Sequence, residues 1–168
     1  MTPSLATRRH GYLLALVIAI VDQLLKYWVV HILDLPTVGA IHITPFFNLT
    51  FTQNYGVSMG LFNGGAPGMR WILVGVTFAI SAFVAAWMWR EKARGDVLAL
   101  GLVLGGAVGN IVDRARLGFV VDYADLHFGN WRPFLIFNLA DAAISIGVLI
   151  LLARALLLRD KAANTETP

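Results

Sequence analysis

Cysteine is absent from the 168 residues, which removes disulfides, thiolate metal sites and a cysteine nucleophile at once. Charge is scarce as well. Only 14% of residues are Asp, Glu, Lys or Arg, against about 25% in an ordinary soluble domain. No HExxH motif occurs, and His10, His31, His42 and His127 do not cluster, so a zinc protease has no support. Ser58 and Ser145 have no lysine near them in sequence, which leaves a serine–lysine pair without support. The pI near 9.6 does not indicate nucleic acid, because the basic residues lie in short clusters between apolar runs and not on a basic helix face. No internal repeat is visible, nor a linker to a second domain.

What is abundant is apolar sequence, 58% of the chain, with a mean hydropathy of +0.70. A helix needs roughly 20 mainly apolar residues to cross a bilayer. Four segments meet or approach this: residues 12–30, 71–89, 97–112 and 134–153. The expected fold is therefore an all-α membrane protein with four transmembrane helices, forming one domain over residues 1–168. Eight of the thirteen basic residues (Arg8, Arg9, Arg90, Lys92, Arg94, Arg154, Arg159 and Lys161) fall on one side of such a bundle. The excess predicts cytoplasmic termini, with the connections 31–70 and 113–133 facing outward. The start is not expected to be a cleaved secretory signal, because its apolar run is long, is interrupted by Asp22 and Lys26 and lacks a small-x-small site.

Within the first outer connection "FNLTFT" alternates Phe47, Leu49 and Phe51 with Asn48, Thr50 and Thr52. This period of two predicts a short amphipathic strand pair whose apolar face rests on the membrane surface. "NGGAP", residues 63–67, reads as a turn, and residues 160–168 as a loose tail. Gly101, Gly105 and Gly109 recur every four residues on one face of the third span, a spacing that lets helix backbones approach closely.

Ionisable residues inside spans are costly and are functional candidates by default. Asp22 and Lys26, four apart, suit a structural pair with the acid N-terminal to the base. Asn110, Asp113 and Arg114 share a face at the end of the third span and suit a structural role there. Asp122 and Asp141 differ, since neither has a basic residue within a helical turn of sequence. Asp141 shares a face with Asn138 in "FLIFNLADAAISIGVLILLA", about one and a half turns into the fourth span. Two carboxylates brought together in a low-dielectric place do not both ionise easily, so one serves as a general base and the other as a general acid. The same pattern fits a proton relay or an ion site. A glycine-lined surface for assembly with a partner is a third possibility, but it gives no reason for Asp122 and Asp141.

Five stretches decide among these readings: "DQLLK" from Asp22, "NYGVSMGLF" from Asn54, "GGAVGNIVDR" from Gly105, "GFVVDYADLHFGNW" from Gly118 and "FNLADAAISIG" from Phe137. In this order, over about residues 12–153, the chain resembles the lipoprotein signal peptidases, the signal peptidase II family. The resemblance implies an aspartic endopeptidase of the bacterial inner membrane. It would remove signal peptides from diacylglyceryl-modified prolipoproteins, cutting before the lipidated cysteine and using no cofactor or metal. It implies Asp122 and Asp141 as the catalytic pair, with Asp22, Lys26, Asn54, Gly56, Gly106, Asn110, Asp113, Arg114 and Asn138 supporting the site or holding substrate. It also implies an extracytoplasmic strand platform and a short outer helix, matched here to "FNLTFT" and to the stretch after Asp122. Expected partners are the prolipoproteins, membrane lipids and globomycin-type inhibitors, with a monomeric enzyme and no nucleic acid. One departure is local: after Asn54 the family more often reads Gly-Ala-Ala-Phe, where this chain has Gly56-Val57-Ser58-Met59. Which aspartate starts protonated is not legible, since such a pair titrates as a unit.

Overall fold

The computed structural model describes residues 5–56 and 67–165. The apolar runs form four long helices: α1 (Leu5–Tyr27), α3 (Pro67–Arg90), α4 (Arg94–Leu117) and α5 (Leu139–Thr165). Each contains a stretch long and apolar enough to cross a membrane, with mean hydropathy from 1.7 to 2.0. Between α1 and α3 lie the single-turn helix α2 (Leu35–Val38) and strands β1 (Ala40–Thr44) and β2 (Phe47–Asn54); β3 (Val120–Leu126) joins α4 to α5. The turn expected at residues 63–67 and the departure at residues 57–59 lie, but for Pro67, outside the described residues.

Helix α4 is the hub. Half of its apolar window is buried within the protein, against 17–22% for the other three, and it packs on α1, α3 and α5. The glycine row explains the fit to α1. A Cβ on Gly105 would stand 2.6 Å from the Ala15 carbonyl oxygen, and one on Gly109 would stand 2.5 Å from the Asp22 carboxylate. The helix stops at Gly118, whose φ of +88° suits a glycine cap with its N–H bonded to the Arg114 carbonyl at 3.2 Å. The Arg70 guanidinium of α3 donates to the Ala115 carbonyl, placing a cation on the same helix end.

Three antiparallel strands in the order β1-β2-β3 form one sheet at that end of the bundle. Thr52 pairs with Asp122 and Asn54 with Val120, and the β2–β3 register shifts between Leu49 and Thr52. The expected strand pair is thus joined by a third strand. On its apolar face Phe47, Leu49 and Phe51 are half-buried and pack against a cluster of Val29, Leu35, Val121, Tyr123 and Ala124. The π-helical turn Trp28–Ile32 that follows α1 supplies Val29 to this cluster, and α2 supplies the wholly buried Leu35.

The one short α-helix among the described residues is α2, whereas the stretch around Asp122 and on to Leu126, expected to carry a helix, is strand. The last span also begins later than expected, at Leu139 and not at residue 134. Phe137 is committed to the sheet, its N–H bonded to the Ala124 carbonyl at 3.1 Å and its carbonyl accepting from Ala124 at 2.8 Å. At its far end α5 continues to Thr165 where a loose tail was expected from residue 160, because the sequence there offers helix formers and no Gly or Pro.

Candidate active site

Asn138 sits where the sheet meets the bundle, and it caps α5. Its side-chain oxygen accepts the Asp141 N–H at 2.9 Å, while an Asp141 oxygen accepts the Asn138 N–H at 3.3 Å. This is a reciprocal capping box with an aspartate at the third helical position. Asp141 therefore lies in the first turn of α5 and not one and a half turns in, at the positive end of the helix dipole. The asparagine's amide nitrogen faces the other way and donates to Asp122 Oδ1 at 2.6 Å. One residue thus holds the two carboxylates, which come from a strand and a helix nineteen positions apart in the chain.

The remaining oxygens are held too. Asn54 of β2 lies diagonally across from Asp122 and donates to its Oδ2 at 2.9 Å. Gly56 follows in a positive-φ conformation (+78°), its N–H bonded to the Asn54 side-chain oxygen at 2.8 Å, so the turn orients the amide. Asn110 of α4 donates to Asp141 Oδ1 at 2.8 Å. Asp122 is 1% exposed, and burial, aided by the Asp141 charge and opposed by the Asn54 hydrogen bond, pushes its carboxyl up to about 6.

Below the pair is a second acidic layer, with the expected Asp22–Lys26 bridge at its centre. Lys26 Nζ lies 2.8 Å from Asp22 Oδ2, 2.8 Å from Asp113 Oδ2 and 3.2 Å from Asn110 Oδ1, which uses its three hydrogens. Asp22 accepts the Ala140 N–H at 3.1 Å and Asp113 the Val121 N–H at 3.1 Å, so the layer clamps the first turn of α5 and the start of β3. Gly106 makes room for the Ala140 backbone on the α5 side of α4, and Gly109 for Asp22 on the α1 side.

Asp113 and Arg114, expected to have structural roles at the end of the third span, turn in different directions. Asp113 joins Lys26, while Arg114 turns to the groove beside Gly56, its Nε buried and without a hydrogen-bond partner among the described residues. Gln23 was missed by the sequence reading. It donates to Asp113 Oδ1 at 2.8 Å and to the Gly109 carbonyl at 3.2 Å, spanning the acids of α1 and α4. Its position beside Asp22 inside an apolar span was the available signal.

The groove above Asp122 has a volume of about 810 Å³. Asn54, Gly56 and Arg114 line its polar side, and Phe134, Leu135 and Ile136 its apolar side. Leu135 is 89% exposed and Phe134 62%, so this wall is open to an apolar chain.

The signal peptidase (SPase) II family profile matches residues 14–157 of the chain. The chain belongs to the signal peptidase II family. The lipoprotein signal peptidase of Rhizorhabdus wittichii is 53% identical over 159 residues, covering 95% of this chain and 92% of that protein. That of Sphingopyxis alaskensis is 54% identical over 158 residues, covering 94% and 91%. Among solved structures, a bacterial membrane enzyme determined in meso at 2.3 Å superposes with a TM-score of 0.76 at 26% identity, covering 99% of this chain and 96% of that one. Signal peptidase II membership makes this chain a protease with four apolar helices, a multi-pass membrane protein.

Proposed function

We propose that this signal peptidase cleaves diacylglyceryl-modified prolipoproteins before the lipidated cysteine, with Asp122 and Asp141 as a water-activating pair. The observation that carries this reading is Asn138, which grips both carboxylates from one side chain and its own backbone. No Lys or Arg among the described residues lies at ion-pair distance from either acid. Two coupled acids with no cation bonded to either favour sharing one proton.

Once substrate covers the groove and excludes water, the shared proton is assigned to Asp122, the more deeply buried of the two. Asp141 is then the base. The signal helix enters sideways from lipid along the Phe134–Leu135 wall, and its diacylglyceryl group stays in the bilayer. Asp141 takes a proton from water, and the water oxygen attacks the carbonyl before the cysteine. Asp122 gives its proton to the carbonyl oxygen as the tetrahedral intermediate forms. When the C–N bond breaks, the proton held by Asp141 passes to the departing amine of the cysteine, and one hydroxyl of the intermediate returns its proton to Asp122 as the carbonyl re-forms within a carboxyl on the signal peptide. Arg114, free to donate into the groove, holds substrate backbone carbonyls.

Orientation follows from charge. Arg8, Arg9, Arg90, Lys92, Arg94 and Arg154 lie at the end away from the sheet, which we assign to the cytoplasm of a bacterial inner membrane. The site then opens at the outer face. A proton relay through the membrane is less well supported, since Asp22, Asp113, Asp122, Asp125 and Asp141 gather at the sheet end and the helix interiors beyond them are apolar.

Asp122→Asn and Asp141→Asn are each expected to abolish cleavage of a purified diacylglyceryl prolipoprotein while leaving the helical circular dichroism spectrum in detergent unchanged. Cleavage at the wild-type rate by either variant would overturn the assignment.

A further inference from the structure

The groove holds a second arginine that the chemistry above does not use. Arg132, in the loop between β3 and α5, lines the same cavity as Asp122. Its Nε donates to Asp125 Oδ1 at 2.9 Å and its Nη2 to Oδ2 at 3.2 Å, a two-pronged pair that fixes the plane of the guanidinium. The partners are unequally placed. Asp125 is 1% exposed and also accepts the Thr50 hydroxyl at 3.3 Å, whereas the Arg132 side chain is 53% exposed. The acid therefore lies underneath and the cation on top. What a ligand meets is a positive group held still, with its Nη1 hydrogens outside the pair.

The backbone gives the spacing of the arginine's anchor, Asp125, from Asp122. Asp125 follows Asp122 by three residues along β3, about 10 Å at roughly 3.3 Å per strand residue. An extended substrate with its scissile carbonyl at Asp122 covers the same length in about three residues. The signal helix needs the bilayer side of the groove, so the chain beyond the cut leads toward the sheet.

We propose that Arg132, held by Asp125, is a specificity determinant that reads the first or second residue after the lipidated cysteine, favouring an acidic side chain there and disfavouring a basic one. This rests on the peptidase reading above, and the test separates the two. Three diacylglyceryl substrates are compared, identical except for Asp, Asn or Lys at those two positions. The wild-type enzyme is expected to prefer the Asp over the Lys substrate by about five-fold or more in kcat/KM at low salt, the scale of exposed charge pairs. The preference shrinks in about 0.5 M salt, where such pairs are screened.

Arg132→Gln is expected to bring the Asp/Lys ratio close to one. Because that change leaves a buried carboxylate alone, the double variant Asp125→Asn with Arg132→Gln is measured beside it, and its ratio is expected to fall likewise. The ratio does not depend on the fraction of enzyme that is folded, so a merely structural role would leave it unmoved. A wild-type ratio near one, or a ratio unchanged in the double variant, overturns this inference while cleavage of the Asn substrate leaves the peptidase reading standing. Failure of the wild-type enzyme to cleave the Asn substrate overturns the peptidase reading itself.

Discussion

At the scale of single residues, the site is a set of carboxylates of which Asp22, Asp113 and Asp122 are buried away from water. Asp122 illustrates the cost. Burial pushes its carboxyl up to about 6, from an ordinary value of 3.8. The folded protein therefore binds a proton between those pH values that the unfolded chain releases, so stability falls as pH rises through that window. Above about pH 6 the full penalty applies, about 3 kcal/mol at most at 1.36 kcal/mol per unit. Asp122→Asn, which carries no charge to desolvate and keeps an oxygen for one of the two donors, Asn54 or Asn138, is expected to unfold at a higher temperature than wild type at pH 7–8. The gain should disappear below about pH 4, a pattern that scanning fluorimetry across pH would reveal. A gain of equal size at both ends would mean that burial of the charge is not its source. Stability and activity then oppose one another at this residue. Asp122 and Asp141 stood out in the sequence because they lacked neighbouring cations. Their common tether on Asn138, the capture of Asp113 by Lys26 and the bridging amide of Gln23 did not stand out, because those contacts join residues 16 to 90 positions apart.

At the scale of elements, the first turn of α5 joins fold and site. Asn138 caps the helix through its oxygen and grips Asp122 through its nitrogen, so its two tasks can be separated by substitution. Asn138→Ala loses both, and should lower helix stability by about 1 kcal/mol, as loss of an N-cap does. Asn138→Ser keeps an oxygen able to cap but has no amide to reach Asp122. It is expected to melt near the wild-type temperature yet to lose about 100-fold or more in kcat, the scale of losing one oriented donor. Recovery of activity along with stability in the serine variant would separate Asn138 from the chemistry. The four spans were legible from hydropathy, and the glycine row of α4 from its spacing. The start of α5 was not, since residues 134–138 continue the same apolar run. What ends the helix there is hydrogen bonding of Phe137 to β3, a tertiary event that composition does not register. The asparagine three residues before Asp141 was the one local sign of a cap.

At the scale of the whole molecule, the two ends of the bundle differ in kind. The end away from the sheet carries charges paired at the surface, as Arg154 with Asp96 and Arg8 over the Trp89 ring. The sheet end carries buried acids under a groove, with Arg70, Arg114, Arg116 and Arg132 around them. Basic residues resist translocation, so the larger basic cluster should remain in the cytoplasm and the sheet should cross. The peptidase reading needs this orientation, because its substrate's mature part emerges on the outer side. The lack of cysteine makes the arrangement directly measurable, since any introduced thiol is unique in the chain. Thr44→Cys, at the end of β1, should react with a membrane-impermeant maleimide in intact cells. Ala93→Cys, between α3 and α4, should react only after the membrane is opened. The reverse pattern would put the groove on the cytoplasmic side and remove the topological basis for cleaving exported lipoproteins, whatever the chemistry of the aspartates.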